Sequence, residues 1–86
     1  MRGDGGSAPT PRAVLNEVLA AANEVFGRPA LATDSFFDLG GDSLLALDLT
    51  VRVKERLGTE PDLDELLTAE TLADFARRIS MSMADG

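Results

Sequence analysis

Apolar residues recur at helical spacing in three stretches of the chain. In the first, Val14, Leu15, Val18, Leu19, Ala22, Val25 and Phe26 repeat at three- and four-residue intervals, which gathers them on one helix face. Thr10 and Pro11 supply the start. A threonine hydroxyl can accept from an early helix N–H, and proline at the first helical position gives up only an N–H that had no partner. Gly27 supplies the stop. A second helix is predicted from Asp42 or Ser43 to Leu57, ended by Gly58, and a short third over Leu63 to Leu67 after Pro61. Thr71 caps the last, where Leu72, Phe75, Ala76 and Ile79 follow the i, i+3, i+4, i+7 pattern. Asp74, three residues after Thr71, makes an approximate capping box with Asp in place of Glu. No period-two alternation competes. The expected fold class is all-α: a small four-helix bundle, with three main helices and one short one, and a long loop between helices 1 and 2.

That loop, residues 28 to 41, carries turn chemistry at Arg28-Pro29, Thr33-Asp34 and Gly40-Gly41. A loop this long in so small a domain is usually functional or pinned by its own side chains. Leu31, Phe36, Phe37 and Leu39 are the expected anchors, with both phenylalanines filling core rather than touching a ligand. The expected boundaries are a disordered tail over 1–9, a domain over 10–80, and a C-terminal tail over 81–86. There is no internal repeat.

Helix two carries more apolar residues than one buried face needs. At about 100° per residue from Ser43, the positions Ala46, Leu49, Thr50, Val53 and Leu57 fall between roughly 240° and 340°, an ordinary core stripe. Leu44, Leu47 and Val51 fall between roughly 40° and 100°, on a second stripe running down from the serine. Two readings stay open. A helix wedged between two neighbours would bury both stripes, whereas a helix at the surface would expose the second beside Ser43 as a docking strip.

Composition narrows the class. At 86 residues and 9.1 kDa there is room for one small domain. With no cysteine, neither a disulfide framework nor thiolate metal ligation is available. No apolar run approaches the ~18 residues of a membrane span, and the first nine residues lack the apolar core of a signal peptide. The expectation is a cytoplasmic protein with no membrane partner. The net charge is −7. Four acids (Asp34, Asp38, Asp42, Asp48) and no base lie between Arg28 and Arg52, and six acids and no base lie from Leu57 to Ala76. Such runs are either solvated surface or a field that steers basic partners toward the serine. Nucleic acid is disfavoured, because no basic patch exists to release counterions.

The stretch with chemistry in it is FFDLGGDSLLAL, residues 36–47. GDSL, residues 41–44, also surrounds the nucleophile of a family of serine hydrolases, but a serine needs an adjacent base, usually histidine. This chain has no histidine, and Lys54, its one lysine, lies three turns away. A phosphate loop fails too, since the Gly-x4-Gly-Lys-Ser/Thr pattern is missing and Asp42 would repel the anion. Asp38 and Asp42 fall short of the ligand count of a calcium loop, so no metal site is expected. No catalytic residue is assigned. Ser43, at a helix start on a convex surface, is a residue acted upon by another enzyme.

DSFFDLGGDSLLAL resembles the attachment motif of the peptidyl carrier proteins (thiolation domains) of nonribosomal peptide synthesis, in the phosphopantetheine-binding carrier superfamily. The likeness covers roughly residues 12–80, including ETLADFA at the opening of the last helix. It implies 4′-phosphopantetheine esterified to Ser43 of Leu39-Gly40-Gly41-Asp42-Ser43-Leu44 by a phosphopantetheinyl transferase that uses coenzyme A and magnesium. The arm's thiol then holds an aminoacyl or peptidyl group as a thioester. The resemblance also implies a monomer that meets an adenylating (loading) enzyme and downstream condensation or tailoring enzymes. Asp42, Leu44, Leu47 and Val51 match the partner-docking positions. Double glycine before Asp-Ser favours a peptidyl carrier over a fatty-acid or polyketide acyl carrier, and Arg52, Lys54 and Arg56 depart from the acidic helix two of fatty-acid carriers. A free-standing (type II) carrier fits a chain that begins at Met1, although an excised domain would read the same. The alternatives are an acyl carrier and, from another class, a helical interaction module whose serine is structural.

Overall fold

The computed structural model describes residues 9–85, with side chains through 83; of the tail expected over 1–9, residues 1–8 lie outside the described residues. Four helices follow in order: α1 (Pro11–Phe26), α2 (Ser43–Leu57), α3 (Leu63–Thr68) and α4 (Leu72–Asp85). The predicted starts of all four helices and the glycine stops of α1 and α2 are the observed ones, while α3 runs one residue further, to Thr68. Thr10 Oγ1 accepts from the Ala13 N–H at 3.1 Å, with Pro11 at the first helical position. Gly27 and Gly58 end α1 and α2 in the left-handed conformation. At α4 the cap reaches one residue further back than a standard box. Thr71 Oγ1 accepts from the Asp74 N–H at 3.1 Å, while the Asp74 carboxylate accepts from the Glu70 N–H at 3.2 Å. The helix continues to Asp85, past residue 80, so most of the segment expected as a C-terminal tail is helical.

α1 packs against both α2 and α4, and α3 bridges α2 to α4. The core is aliphatic with two phenylalanines: Val14, Val18, Leu49, Val53, Leu66, Leu72, Ile79, Phe36 and Phe75 are almost fully buried. Each helix thus buries the face its sequence period defines, and burying a Leu, Val, Ile or Phe side chain contributes about 1.5–3 kcal/mol. Arg78 on α4 fastens the end of α3, donating to Thr68 Oγ1 at 2.8 Å and to the Glu65 carbonyl at 3.4 Å. α3 has only six residues, too few to persist alone, so packing and this clamp hold it.

Ion pairs set α1 and α2 antiparallel. Arg52 reaches Glu24 at 3.3 Å, and Arg56 reaches both Glu24 and Glu17, one to two turns earlier on α1. That register puts Ser43 beyond the C-terminal end of α1, where the long loop gathers.

Candidate functional site

Ser43 is the first residue of α2, and its neighbours explain its presentation. Asp42 caps the helix, its carboxylate accepting from the Leu45 N–H at 2.9 Å and its carbonyl from the Ala46 N–H at 2.8 Å. The first turn is therefore held by Asp42, which leaves the Ser43 side chain exposed. Among the described residues nothing hydrogen-bonds its hydroxyl, and none of them is placed to activate it.

The loop behind Ser43 is tightly built. Leu39 N–H donates to the Ser35 carbonyl at 3.1 Å, Gly40 N–H to that of Phe37 at 3.0 Å, and Gly41 N–H to that of Phe36 at 3.1 Å. The two glycines serve different needs. Gly40 has φ of 96°, a conformation that side-chain-bearing residues rarely adopt. Gly41 lies against the Phe36 ring, where a Cβ would come within 2.6 Å of Cδ2 and closer still to Cε2 and Cζ. Phe36 is 2% exposed and meets Phe26 edge-on at 5.6 Å, so the ring is core and the serine's loop is laid over it.

Further bonds tie the loop to the helices. The Asn23 side chain accepts from the Ala30 N–H at 2.7 Å, and Arg28 donates to the Leu39 carbonyl at 3.2 Å. The first N–H groups of α4 complete the set, Leu72 donating to the Asp34 carbonyl at 2.9 Å and Ala73 to that of Ala32 at 3.0 Å. Two expected anchors prove otherwise. Phe37 packs edge-on to Phe36 yet stays 54% exposed, and Leu31 faces solvent while its N–H is held by Asp34. Polar pins replace the apolar ones there.

On α2 the two stripes separate as their angles indicate. Ala46, Leu49, Thr50 and Val53 are buried, and Leu57 packs partly against the core. Leu44, Leu47 and Val51 are 78%, 54% and 47% exposed. The wedged-helix reading therefore fails, because no described residue covers the second stripe. Ser43, Leu44, Leu47 and Val51 form one continuous surface.

The helix start also suits a phosphodiester on Ser43. Among the described residues the N–H groups of Ser43 and Leu44 have no hydrogen-bond acceptor, and they stand at the positive end of a 15-residue helix. Asp42 directs its charge into its own cap, which lessens its opposition to a nearby anion.

Comparison with known proteins decides the family. Residues 16–79 match the model "Phosphopantetheine attachment site", and this span includes Ser43. The chain belongs to the phosphopantetheine-binding carrier family. It is 42% identical over 73 residues to a dimodular nonribosomal peptide synthase of Bacillus subtilis (strain 168), covering 83% of this chain and 3% of that protein. To the PF 1022-synthetase of Rosellinia sp. it is 38% identical over 82 residues, again 3% of the relative's length. Among solved structures it is similar to BlmI, a type-II acyl-carrier-protein from Streptomyces verticillus involved in bleomycin biosynthesis. The TM-score is 0.79 with 28% identity, over 85% of this chain and 89% of that one. The carrier thus has the four-helix fold of its family and is non-catalytic. No described helix is long and apolar enough to cross a membrane.

Charge on the carrier is distributed unevenly around α2. The Arg56 hydrogen bond, with Arg52 adding to it, holds the Glu24 carboxyl below its usual range against the opposing effect of burial. The Arg56 pKa is raised in turn by the hydrogen bonds it donates to Glu24 and Glu17, and that of Arg52 by those it donates to Asp48 and Glu24. Lys54 pairs with Glu60 at 3.5 Å. The bases that sequence set against a fatty-acid partner are thus committed to acids of this chain, with Arg52 and Arg56 turned toward α1. Sequence reasoning missed a groove of about 400 Å³ beside the exposed stripe, lined by Leu47, Thr50, Val51, Lys54, Glu55 and Glu60. The 58–61 turn brings Glu60 to α2, and no pattern within α2 could have signalled it.

Proposed function

We propose that Ser43 is the attachment residue and that this carrier holds an aminoacyl or peptidyl group as a thioester for the enzymes of a nonribosomal peptide or related pathway. One observation carries the reading: an exposed serine at a helix start, inside the matched family span, bordered by an apolar stripe that the fold leaves uncovered. In this role the chain supplies presentation alone. Ser43 Oγ bonds to phosphorus, the nucleotide portion of coenzyme A departs, and the hydroxyl proton passes to a base of the transferase. The attached group supplies a flexible arm ending in a thiol. Asp42 keeps the first turn intact during attack and offers its exposed carboxylate to a basic partner surface. Leu44, Leu47 and Val51 give the transferase, an adenylating enzyme and downstream condensation or tailoring enzymes an apolar grip.

The similarity to a dimodular nonribosomal peptide synthase supports an amino-acid cargo. Intact mass after incubation with coenzyme A and a promiscuous transferase tests the site. The chain should gain about 340 Da, and Ser43→Ala should abolish the gain. The exposed serine makes no side-chain hydrogen bond among the described residues, so the substitution should leave stability within about 0.5 kcal/mol. Modification that persists in the alanine variant refutes the assignment. A loading assay with an adenylating enzyme and a malonyl-transferring enzyme tests the cargo, with aminoacylation expected and efficient malonylation without it favouring the acyl-carrier alternative.

A further inference from the structure

A second groove, of about 360 Å³, runs between the start of α1 and α4. Leu15 on α1 and Ala73, Ala76 and Met81 on α4 give it an apolar floor. Its lining holds two bases, Arg12 and Arg77, and no acid among the described residues. Ser43 lies past the other end of α1, and Leu15 stands about 16 Å along the axis from Phe26 at 1.5 Å per residue. What occupies this groove would leave α2 uncovered.

The sequence of α4 accounts for the groove. Leu72, Phe75 and Ile79 turn into the core. The row beside them, Ala73, Ala76 and Ser80 at i, i+3 and i+7, has side chains too short to fill the space against α1. Met81 is left 59% exposed. Arg77 lies along the rim, with Nη1 at 3.7 Å from Met81 Sδ and Nη2 donating to Asp74 at 2.5 Å. Arg78 shares the same carboxylate at 3.2 Å. One largely covered acid thus answers two bases, and Arg12 adds an exposed third, so this surface is positive on a chain that carries 15 acids against 8 bases.

Shape and charge together choose an occupant. Both walls are helices whose backbone bonds are internal, so an extended segment finds no edge to pair with. A third helix fits, because the short side chains of α4 let its backbone approach closely. From Ala73 to Met81 the α4 wall is about 12 Å long, which takes about two turns of such a helix. A second copy of this chain fits worse. Two grooves face to face would set each pair of arginines against its own kind, between molecules of net charge −7.

We propose that the α1–α4 groove docks an acidic amphipathic helix of a partner protein, its apolar side over Leu15, Ala76 and Met81 and its carboxylates toward Arg12 and Arg77. Ser43 and the stripe of Leu44, Leu47 and Val51 stay open while it is bound. The carrier can therefore be held by one face and worked on at another.

A synthetic helical peptide with leucines at i and i+4 flanked by glutamates, titrated into the isotope-labelled protein, tests this by amide NMR. Arg12, Leu15, Ala73, Arg77, Ser80 and Met81 should shift, residues 42–51 should not, and added salt should weaken binding. Arg12→Glu should weaken it about two- to fivefold, the range of an exposed ion pair, and should bind a lysine-flanked peptide better than the parent does. Met81→Glu should remove the shifts. Both variants should melt like the parent, since an acid suits the first turn of α1 and Met81 is exposed. No groove shift up to about 1 mM peptide overturns the proposal, as do shifts centred on residues 42–51 or equal affinity of the parent for both peptides. Groove shifts that follow protein concentration alone, or deletion of residues 1–8, would give the groove to a second copy or to this chain's own N-terminus and overturn it equally.

Discussion

Gly41 gives the sharpest test of how the loop presents Ser43. Its φ is not in the left-handed region, so Gly41→Ala would normally help by about 0.4–1 kcal/mol through a less flexible unfolded chain. The structure reverses that sign. The new Cβ would sit within 2.6 Å of Phe36 Cδ2 and closer to two more ring atoms. The ring cannot swing clear: Phe36 is almost fully buried and packed edge-on against both Phe26 and Phe37 at 5.6 Å. Overpacking of this kind costs about 1–3 kcal/mol, which outweighs the chain-entropy gain. In a domain of this size each kcal/mol lowers Tm by about 4–8 °C. Urea denaturation of the single variants and of Gly41→Ala with Phe36→Leu should show strong coupling, the alanine costing much less once the ring is gone. Gly40→Ala meets no atom within 4 Å and suffers only from its φ of 96°, so its cost should be the same with or without the ring. An unchanged urea midpoint for Gly41→Ala, or additivity with Phe36→Leu, refutes the account of the double glycine.

Two further outcomes follow from exposure and charge. Leu47→Ala should lower stability by less than about 1 kcal/mol, well short of the ~2–5 of a buried leucine, and should slow loading by a partner several-fold; a core-sized loss with unchanged kcat/KM contradicts the docking stripe. The Glu24 carboxyl is held below its ordinary value of 4.5 by Arg56, so its contribution is complete above that pH and is lost as pH falls through the lowered value. The Tm difference between wild type and Glu24→Gln should therefore be present at pH 7 and fade as the pH falls below 4.5 through the lowered value, and it should be smaller at high salt because the pair is exposed. A difference that grows on acidification contradicts the pairing.

Helix period made the core legible. Val14 and Val18 on α1, Leu49 and Val53 on α2, and Phe75 and Ile79 on α4 needed only spacing to be placed, because a helix fixes direction within each turn. The caps at Thr10 and Thr71 were legible for the same reason: a cap is a local hydrogen bond. Exposure of the second stripe was not, since it depends on what packs beside α2, and that is decided by α1 and α3 elsewhere in the chain. The adjacent phenylalanines show the limit well. Their residue types are identical, yet Phe36 is drawn under Gly41 and Phe37 is turned out, because a loop has no period to assign sides. The bases of α2 show a related limit. A charge on a sequence has sign but no direction, and only the antiparallel register with α1 shows that Arg52 and Arg56 are spent on Glu24 and Glu17.

That register has a consequence for how one helix serves two purposes. The stability of α2 comes from its inner face and from the ion pairs along its flank toward α1, neither of which involves the outer stripe. Leu44, Leu47 and Val51 are therefore free to vary with the partner at little cost to the fold, and a partner can bury them without competing with the core. The serine is protected from such variation by a different device. Its position is fixed by the Asp42 cap, the bend at Gly40 and the contact of Gly41 with Phe36, each of which tolerates few replacements. Changes in partner recognition should accordingly act through the stripe, while changes around residues 36–42 should act through the geometry of Ser43 itself.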